Sequence, residues 1–432
     1  MTTERHRGLA GWICAAGRQF EYAVPPPVTL PSPPRSAAPV IGPSSDRIQT
    51  LDVLRGLALL GMIVVHFHIH TLEIVTGVNE MIRTLVWRLV EEKSHGTFAL
   101  LFGAGFALQL RRADARGGPF AGRYLRRLAV LLLFGIVAHA GFGYNVLIGY
   151  AVWGVPLLFV RRWSTRALII TAVLSAISVP LYWQGSQQYA RLTLGPERAA
   201  AALEETRAAA RDVNAALDAA EAGDSYLRTL SARLDHIAWF YRQPFFVMPG
   251  ATLALFIVGL LLVRHRFFED PLAHRGVIIG LMIFGLASWV ADIWLLDLVP
   301  MPIQMAGMLL RNQWLTFTYV GAFLLVVAPR AGWMARLRPI GLAGRMALTN
   351  YLVQIAAIDL LFSGYGLGLP DILSTVGVVA AALLFAALVA FSTFWFGRFR
   401  FGPAEWIWRS LTYGTIQPLR IAPPSPVTAA QP

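Results

Sequence analysis

Apolar residues along this chain come in long runs separated by short polar connections. A helix rises 1.5 Å per residue, so crossing a hydrocarbon layer about 30 Å thick takes roughly 20 residues. Runs near that length fall at 52–72, 94–110, 125–142, 145–160, 167–184, 245–263, 276–297, 312–328, 346–362 and 374–396. The pattern predicts an all-α fold: a polytopic integral membrane helical bundle of about ten transmembrane helices. Five of these helices belong to an N-terminal part, 46–184, and five to a C-terminal part, 245–420, that ends in an interfacial segment. Between them, 185–244 reads as an extracytoplasmic segment, Ala-rich from Pro196 to Gln243. Pro196 and the early acids Glu197, Glu204 and Glu205 favour a helix start. One or two surface helices are expected there, serving either as a lid over an outward-facing site or as a solvated connection. The Pro-, Ser- and Ala-rich stretch 1–45 and the end at 421–432 are expected to be disordered. No signal peptide is expected, because the short apolar stretch near Leu9 is broken by glycines and lacks a cleavage site.

Composition agrees with the pattern and the charges give it a direction. Of 432 residues 56% are apolar and 14% charged, against about 25% charged in an average soluble chain. The net charge of +13 does not point to nucleic acid, since the basic residues lie in short clusters between apolar runs. Arg111, Arg112, Arg116, Arg123, Arg126 and Arg127 form one such cluster, and Arg161, Arg162, Arg264, Arg266, Arg336 and Arg338 recur on the same side, whereas 143–145 and 363–373 hold none. Cytoplasmic loops carry the Arg and Lys excess, so both termini are expected in the cytoplasm. The single cysteine, Cys14, rules out an internal disulfide and thiolate metal sites.

Candidate chemistry concentrates on the first helix. At about 100° per residue, Asp52, Arg55, His66, His70 and Glu73 share one stripe, with Leu59 and Met62 between its two polar ends. Ionisable side chains inside a span usually face protein or water, so this stripe is expected to face the bundle interior. Asp52 and Arg55, three apart, either pair across a turn or leave Arg55 to bind the phosphates of a donor. At the outer end, Lys93 and His95 of the second helix and His139 and Asn145 near the end of the third are expected at the depth of His66 and His70. An imidazole there suits general-base catalysis, and it also suits metal binding or a place at the headgroup level. No resident metal is expected.

Further along, Asn350 and Gln354 in GRMALTNYLVQ lie four apart on one helix face, fit for interhelical hydrogen bonds or for substrate. In FRFGPAEWIWRSLTYG, Gly402 and Pro403 start a short helix, with Glu405 and Arg409 spaced to pair. Gly103 and Gly105 in LFGAGFAL read as close helix packing. No GxGxxG or P-loop spacing occurs.

Taken together, LDVLRGLALLGM at 51–62, LLFGAGFAL at 100–108, YLRRLAVLLLFGIVAHA at 124–140, GRMALTNYLVQ at 344–354 and FGPAEWIWRSLTYG at 401–414 resemble a bacterial membrane family typified by YeiB, domain of unknown function 418. The resemblance implies a multi-pass protein of the bacterial plasma (inner) membrane, more distantly similar to transmembrane acyltransferases such as the lysosomal enzyme that acetylates heparan glucosamine. Two departures stand out: His66 where members often have Asn, and Asn145 where many have Asp. The expected function is acyl transfer from a cytoplasmic donor such as acetyl-CoA or another acyl-CoA, held near Asp52 and Arg55. His66, with His139, His70 and Lys93, would assist transfer to a small-molecule, sugar or lipid acceptor with a hydroxyl or amine, with His95, Asn145, Asn350 and Gln354 contacting it. The competing expectations are a transporter or exporter whose pathway is lined by the same stripe, and a scaffold with no cavity at all. The only certain partner is the lipid bilayer; no nucleic acid is expected, and the oligomeric state is left open.

Overall fold

The computed structural model describes residues 48–243, 250–295 and 314–421. The expectations for 1–45 and for 422–432 lie outside the described residues. The chain divides into Met1–Val40 and Ile41–Pro432, and every described helix belongs to the second unit. Its described residues form helices joined by short connections, with two isolated β-bridges, Thr71 with Ile372 and Phe399 with Arg420.

In chain order the helices are α1 (Gln49–Ile69), α2 (Val78–Leu89), α3 (Lys93–Ala115), α4 (Ala121–Phe142), α5 (Leu147–Val160), α6 (Thr165–Leu194), α7 (Pro196–Glu221) and α8 (Tyr226–Phe240). Then come α9 (Gly250–Arg264), α10 (Arg275–Leu295), α11 (Trp314–Val327), α12 (Ala331–Arg336), α13 (Arg338–Arg345), α14 (Ala347–Phe362), α15 (Ser374–Phe396) and α16 (Pro403–Tyr413). The described part of every apolar run falls largely on one of these helices. Four, α1, α4, α6 and α15, are long and apolar enough to cross a membrane, while α5, α9, α11, α14 and the apolar part of α10 are shorter. In α15 only 22% of the most apolar window is buried, and Val376, Val379 and Leu383 point outward. Such a surface is costly in water and neutral in lipid. The amphipathic helix α2 falls in a stretch to which the sequence pattern assigned no element.

Two close approaches fix the centre of the bundle. Gly103 of α3 and Gly259 of α9 lie against each other's helix backbone: a Cβ on Gly103 would stand 1.9 Å from the Phe256 carbonyl oxygen, and one on Gly259 would stand 1.9 Å from that of Leu100. Gly56 of α1 and Gly344 of α13 repeat the device, with Ile340 O and Asp52 O at 2.2 and 1.9 Å. Small residues let helices meet where lipid supplies no hydrophobic drive. The result is a core in which Leu59, Ile63, Leu100, Ala104, Phe256 and Ile257 are buried to 0% exposure.

Candidate functional site

α1 carries its polar groups into two cavities. At its start, Asp52 and Arg55 form an ion pair at 2.9 Å and line a cavity of about 660 Å³ between α1, α3, α4, α14 and α16. Among the described residues, six arginines border this space, Arg55, Arg112, Arg127, Arg345, Arg400 and Arg409, against two carboxylates, Asp52 and Glu405. Aromatic rings steady three of the guanidiniums: Arg127 over Trp408 at 3.6 Å, Arg345 over Phe396 at 4.1 Å and Arg409 over Phe401 at 4.6 Å. A ring contact uses none of the five N–H donors of a guanidinium, which suit bidentate binding of phosphate.

Glu405 does not serve as the ion partner its spacing to Arg409 suggested. It accepts from the Leu348 and Thr349 amides at 2.7 and 3.2 Å and from Thr349 Oγ1 at 2.6 Å. Those amides open α14, so a carboxylate from α16 satisfies the exposed donors of another helix's first turn. Burial raises the Glu405 pKa, opposed by these same hydrogen bonds. Gly105 also departs from its expected packing role. The nearest atom to a Cβ there is Arg55 Nη2 at 3.8 Å, so its bare backbone leaves open space in the arginine cavity.

At the other end of α1, His66 and His70 line a second cavity, of about 600 Å³, together with His95, Glu91, Glu92, Glu221, Asp359 and Arg233. His66 Nδ1 lies 3.2 Å from the side-chain amide nitrogen of Gln354, so Gln354 holds the imidazole at the wall of the cavity. His70 stacks on Phe362 with ring centroids 4.1 Å apart and 1° between planes. His95 stacks on Tyr150, and its Nδ1 stands 4.0 Å from Glu92. Glu92 has a φ of +66°, a region that residues other than glycine rarely occupy and that recurs at functional sites.

Several expected participants stand elsewhere. His139 is buried against His236 and Tyr241, at 3.4 Å from each, and does not border the cavity of His66. Lys93 is 1% exposed at the start of α3 and borders neither cavity; its carbonyl accepts from Thr97 and Thr316. Asn145 donates to the Gly135 carbonyl and accepts from the Leu147 amide, closing the turn between α4 and α5. Asn350 bonds Ser392 at 2.9 Å and the Ala343 carbonyl at 3.0 Å, an interhelical role. Glu73 lies beyond the end of α1, so the stripe stops at His70.

The two cavities share four residues, Met62, Val146, Tyr150 and Tyr351. Tyr150 donates to the His95 carbonyl at 3.0 Å, Tyr351 Oη accepts from the Val146 amide at 3.3 Å, and the Tyr351 ring centroid is 6.1 Å from that of His66. A partition one residue thick thus separates the arginines from the histidines.

Helices that turn apolar faces outward and enclose polar cavities make this a helical membrane protein. Comparison with known proteins places it more closely. Residues 262–415 match the family described as protein of unknown function (DUF418), and residues 47–184 match the catalytic domain of heparan-alpha-glucosaminide N-acetyltransferase. YxaH of Bacillus subtilis (strain 168) is 27% identical over 405 residues, covering 87% of this chain and 96% of that protein. YeiB of Escherichia coli (strain K12) is 26% identical over 402 residues, covering 85% and 96%. A 39.9 kDa protein from the amylase 3' region of Bacillus acidopullulyticus is 27% identical over 381 residues, covering 87% and 96%. No solved structure matches. The chain is therefore similar to YxaH and YeiB over most of its length, and its N-terminal part is similar to an acetyltransferase catalytic domain. The arginine cavity takes Arg55, Arg112 and Arg127 from the acetyltransferase-like segment and Arg345, Arg400 and Arg409 from the DUF418 segment.

Proposed function

We propose that this protein is a membrane acyltransferase. The donor, an acyl-CoA such as acetyl-CoA, enters the arginine cavity from the cytoplasm, and the acceptor, a hydroxyl or amine, enters the histidine cavity from the opposite side. The observation that carries this reading is the thin partition: the side chains that suit a polyanionic carrier and those that suit proton transfer stand back to back on the same helices. The positive-inside asymmetry supports the direction, since the Arg55 end is the arginine-rich end. The ten apolar helices would then span the bilayer, with both termini in the cytoplasm of a bacterial inner membrane.

In the reaction the thioester threads between Tyr150 and Tyr351. With the Gln354 amide turned so that Oε1 accepts from Nδ1–H, His66 Nε2 is the unprotonated nitrogen and accepts the proton of the acceptor as its nitrogen or oxygen attacks the acyl carbonyl. The C–S bond breaks, and the departing thiolate takes up the proton from the imidazolium. One acyl group and one proton change places, with no other reactant. The arginines hold the carrier while the neutral acyl group crosses.

Vesicles with purified protein, labelled acetyl-CoA outside and a panel of amines and sugars inside, test this. Labelled product is expected, and His66→Ala should lower its rate by about 100-fold or more, within the range assigned to a general base. A rate unchanged in His66→Ala removes that residue from the mechanism. Solute flux without covalent change would replace the reading with a transporter lined by the same groups.

A further inference from the structure

The α7–α8 hairpin lies between the two matched family segments, yet it supplies two ionisable side chains, Glu221 and Arg233, to the histidine cavity. Its manner of attachment is unusual. In α7, 26 residues long, Ala199 is the one buried residue. In α8 the buried residues are Thr229, Arg233 and His236, a polar stripe at helical spacing. Leu227 and Leu234 of the same helix are 74% and 48% exposed. A permanently packed helix turns its apolar face inward; here the inward face is the polar one.

Arg233 makes the contact, at 1% exposure. It donates to Glu221 Oε1 at 2.9 Å within the hairpin, to the Gly141 carbonyl at 2.8 Å at the end of α4, to Tyr365 Oη at 3.2 Å and to Asp359 at the end of α14. Asp359 also accepts from Ser363 Oγ at 2.7 Å and from Tyr365 Oη. Beside this cluster the Gly364 amide donates to the Glu221 carbonyl at 2.8 Å. A charged cluster of this kind is strongly held when complete and loses most of its hold when one partner goes. At the hairpin's root, Gly195 joins α6 to α7 with φ +81°, a conformation that favours glycine, and with open space around it.

We infer that the α7–α8 hairpin is a detachable roof on the histidine cavity, latched by Arg233 on Asp359, and that it limits the size of the molecule that reaches His66. With the roof docked the cavity measures about 600 Å³, room for one sugar or small headgroup. The word acceptor for that molecule rests on the acyl-transfer reading; the roof itself does not.

The test uses the full chain with Cys14→Ser and a reporter, Ile355→Cys, at a cavity-lining position 5% exposed. Two membrane-impermeant maleimides are applied to intact cells, one small and one carrying a long polyethylene glycol. The small reagent should label the parent readily and the large one slowly. Asp359→Asn or Arg233→Lys should speed the large reagent by about tenfold or more while leaving the small one within about twofold, since loss of one partner of a buried ion pair weakens the latch by at least that much. Tyr365→Phe, which deletes one hydroxyl, should move the ratio in the same direction by less and serves if the charge variants do not accumulate. Equal large-reagent rates in the parent and the variants would overturn the roof. Because no acyl donor takes part, an inactive protein still reports on it. Acyl transfer accompanied by an unmoved labelling ratio would sink the roof and leave the transfer reading intact.

Discussion

The two cavities share Tyr150 and Tyr351, yet their walls are opposite in character. Among the described residues, one sets six arginines against two carboxylates; the other sets Glu91, Glu92, Glu221 and Asp359, with three histidines, against Arg233. A polyanion is attracted by the first and repelled by the second, and in a low-dielectric interior such differences are large. On the acyl-transfer reading, the contrast separates what would pass the partition, a neutral acyl group, from what would not, its phosphate-bearing carrier. It also assigns different work to similar residues. Arg55, paired with Asp52, also borders the open space at Gly105, whereas Arg233 is buried among Glu221, Asp359 and other protein partners and holds structure together. Burial works against the charge of Arg233, but Asp359, Glu221 and Tyr365 outweigh it and raise its pKa.

The sharpest way to break the comparison uses two glycines two residues apart. Gly103→Leu would drive a side chain into the Phe256 backbone, with a first contact at 1.9 Å, so neither cavity should survive. The expected result is loss of the protein from the membrane, read by immunoblot. Gly105→Leu meets no backbone and fills the space beside Arg55. It should accumulate normally while weakening acetyl-CoA binding by about 100-fold, as an overfilled pocket must move its ligand or its wall by about 1–3 kcal/mol or more. Calorimetric titration of the solubilised protein checks this. Unchanged binding in Gly105→Leu would mean that the arginine cavity is not the donor site.

How much of this arrangement the sequence reveals differs between the two regions. Apolar runs of this length mark helices because a long apolar stretch buries its backbone best as a helix, and the described part of each run falls largely on one. The Asp52, Arg55, His66 and His70 stripe is legible because ionisable residues in an apolar helix stand out and one helix fixes their relative angles. The roof is hidden for the opposite reason. Its buried stripe of Thr229, Arg233 and His236 is polar, and hydropathy reads a polar stripe as solvated. Asp359 was within reach: it is an acid inside the apolar run 346–362, and such residues mark functional contacts. Tyr150 and Tyr351 carried no signal, because an aromatic residue in an apolar helix looks the same whether it faces lipid or a cavity. His139 misled for a related reason. The azimuth of α4 turns it toward His236, and it does not border the cavity of His66.

A smaller effect probes the partition itself. Tyr351→Phe keeps the ring near His66 but removes the oxygen that accepts from the Val146 amide at 3.3 Å. A neutral hydrogen bond contributes about 0.5–1.5 kcal/mol net, so the partition should loosen without collapsing. Acyl transfer should change by about three- to tenfold in kcat, while the affinity for acetyl-CoA, set by the arginines, stays within about twofold. A change confined to affinity would place Tyr351 in the donor site and remove it from the crossing.

The smallest expected effect comes from pH acting on the roof. His236 faces His139 at 3.4 Å across the α4 boundary, and Arg233, Tyr241 and Asp218 lie around the pair. Burial holds the His236 pKa below its ordinary 6.5, with Asp218 pulling the other way. The docked roof therefore favours the neutral ring. Its stabilisation is complete above 6.5 and declines as pH falls below that value, because the undocked imidazole takes up the proton first. Glu221 acts in the opposite sense lower down: burial raises its pKa above 4.5 despite Arg233, so docking regains some strength as that carboxyl protonates. Between these two windows the roof is weakest. The ratio of large to small maleimide labelling at Ile355→Cys should rise by about two- to threefold from about pH 7.5 to roughly pH 5.5, and His236→Gln should flatten the rise. Using the ratio cancels the pH dependence of the thiol. A ratio that does not move with pH in the parent would mean that the imidazole pair contributes nothing to docking and that Arg233 and its carboxylates hold the roof alone.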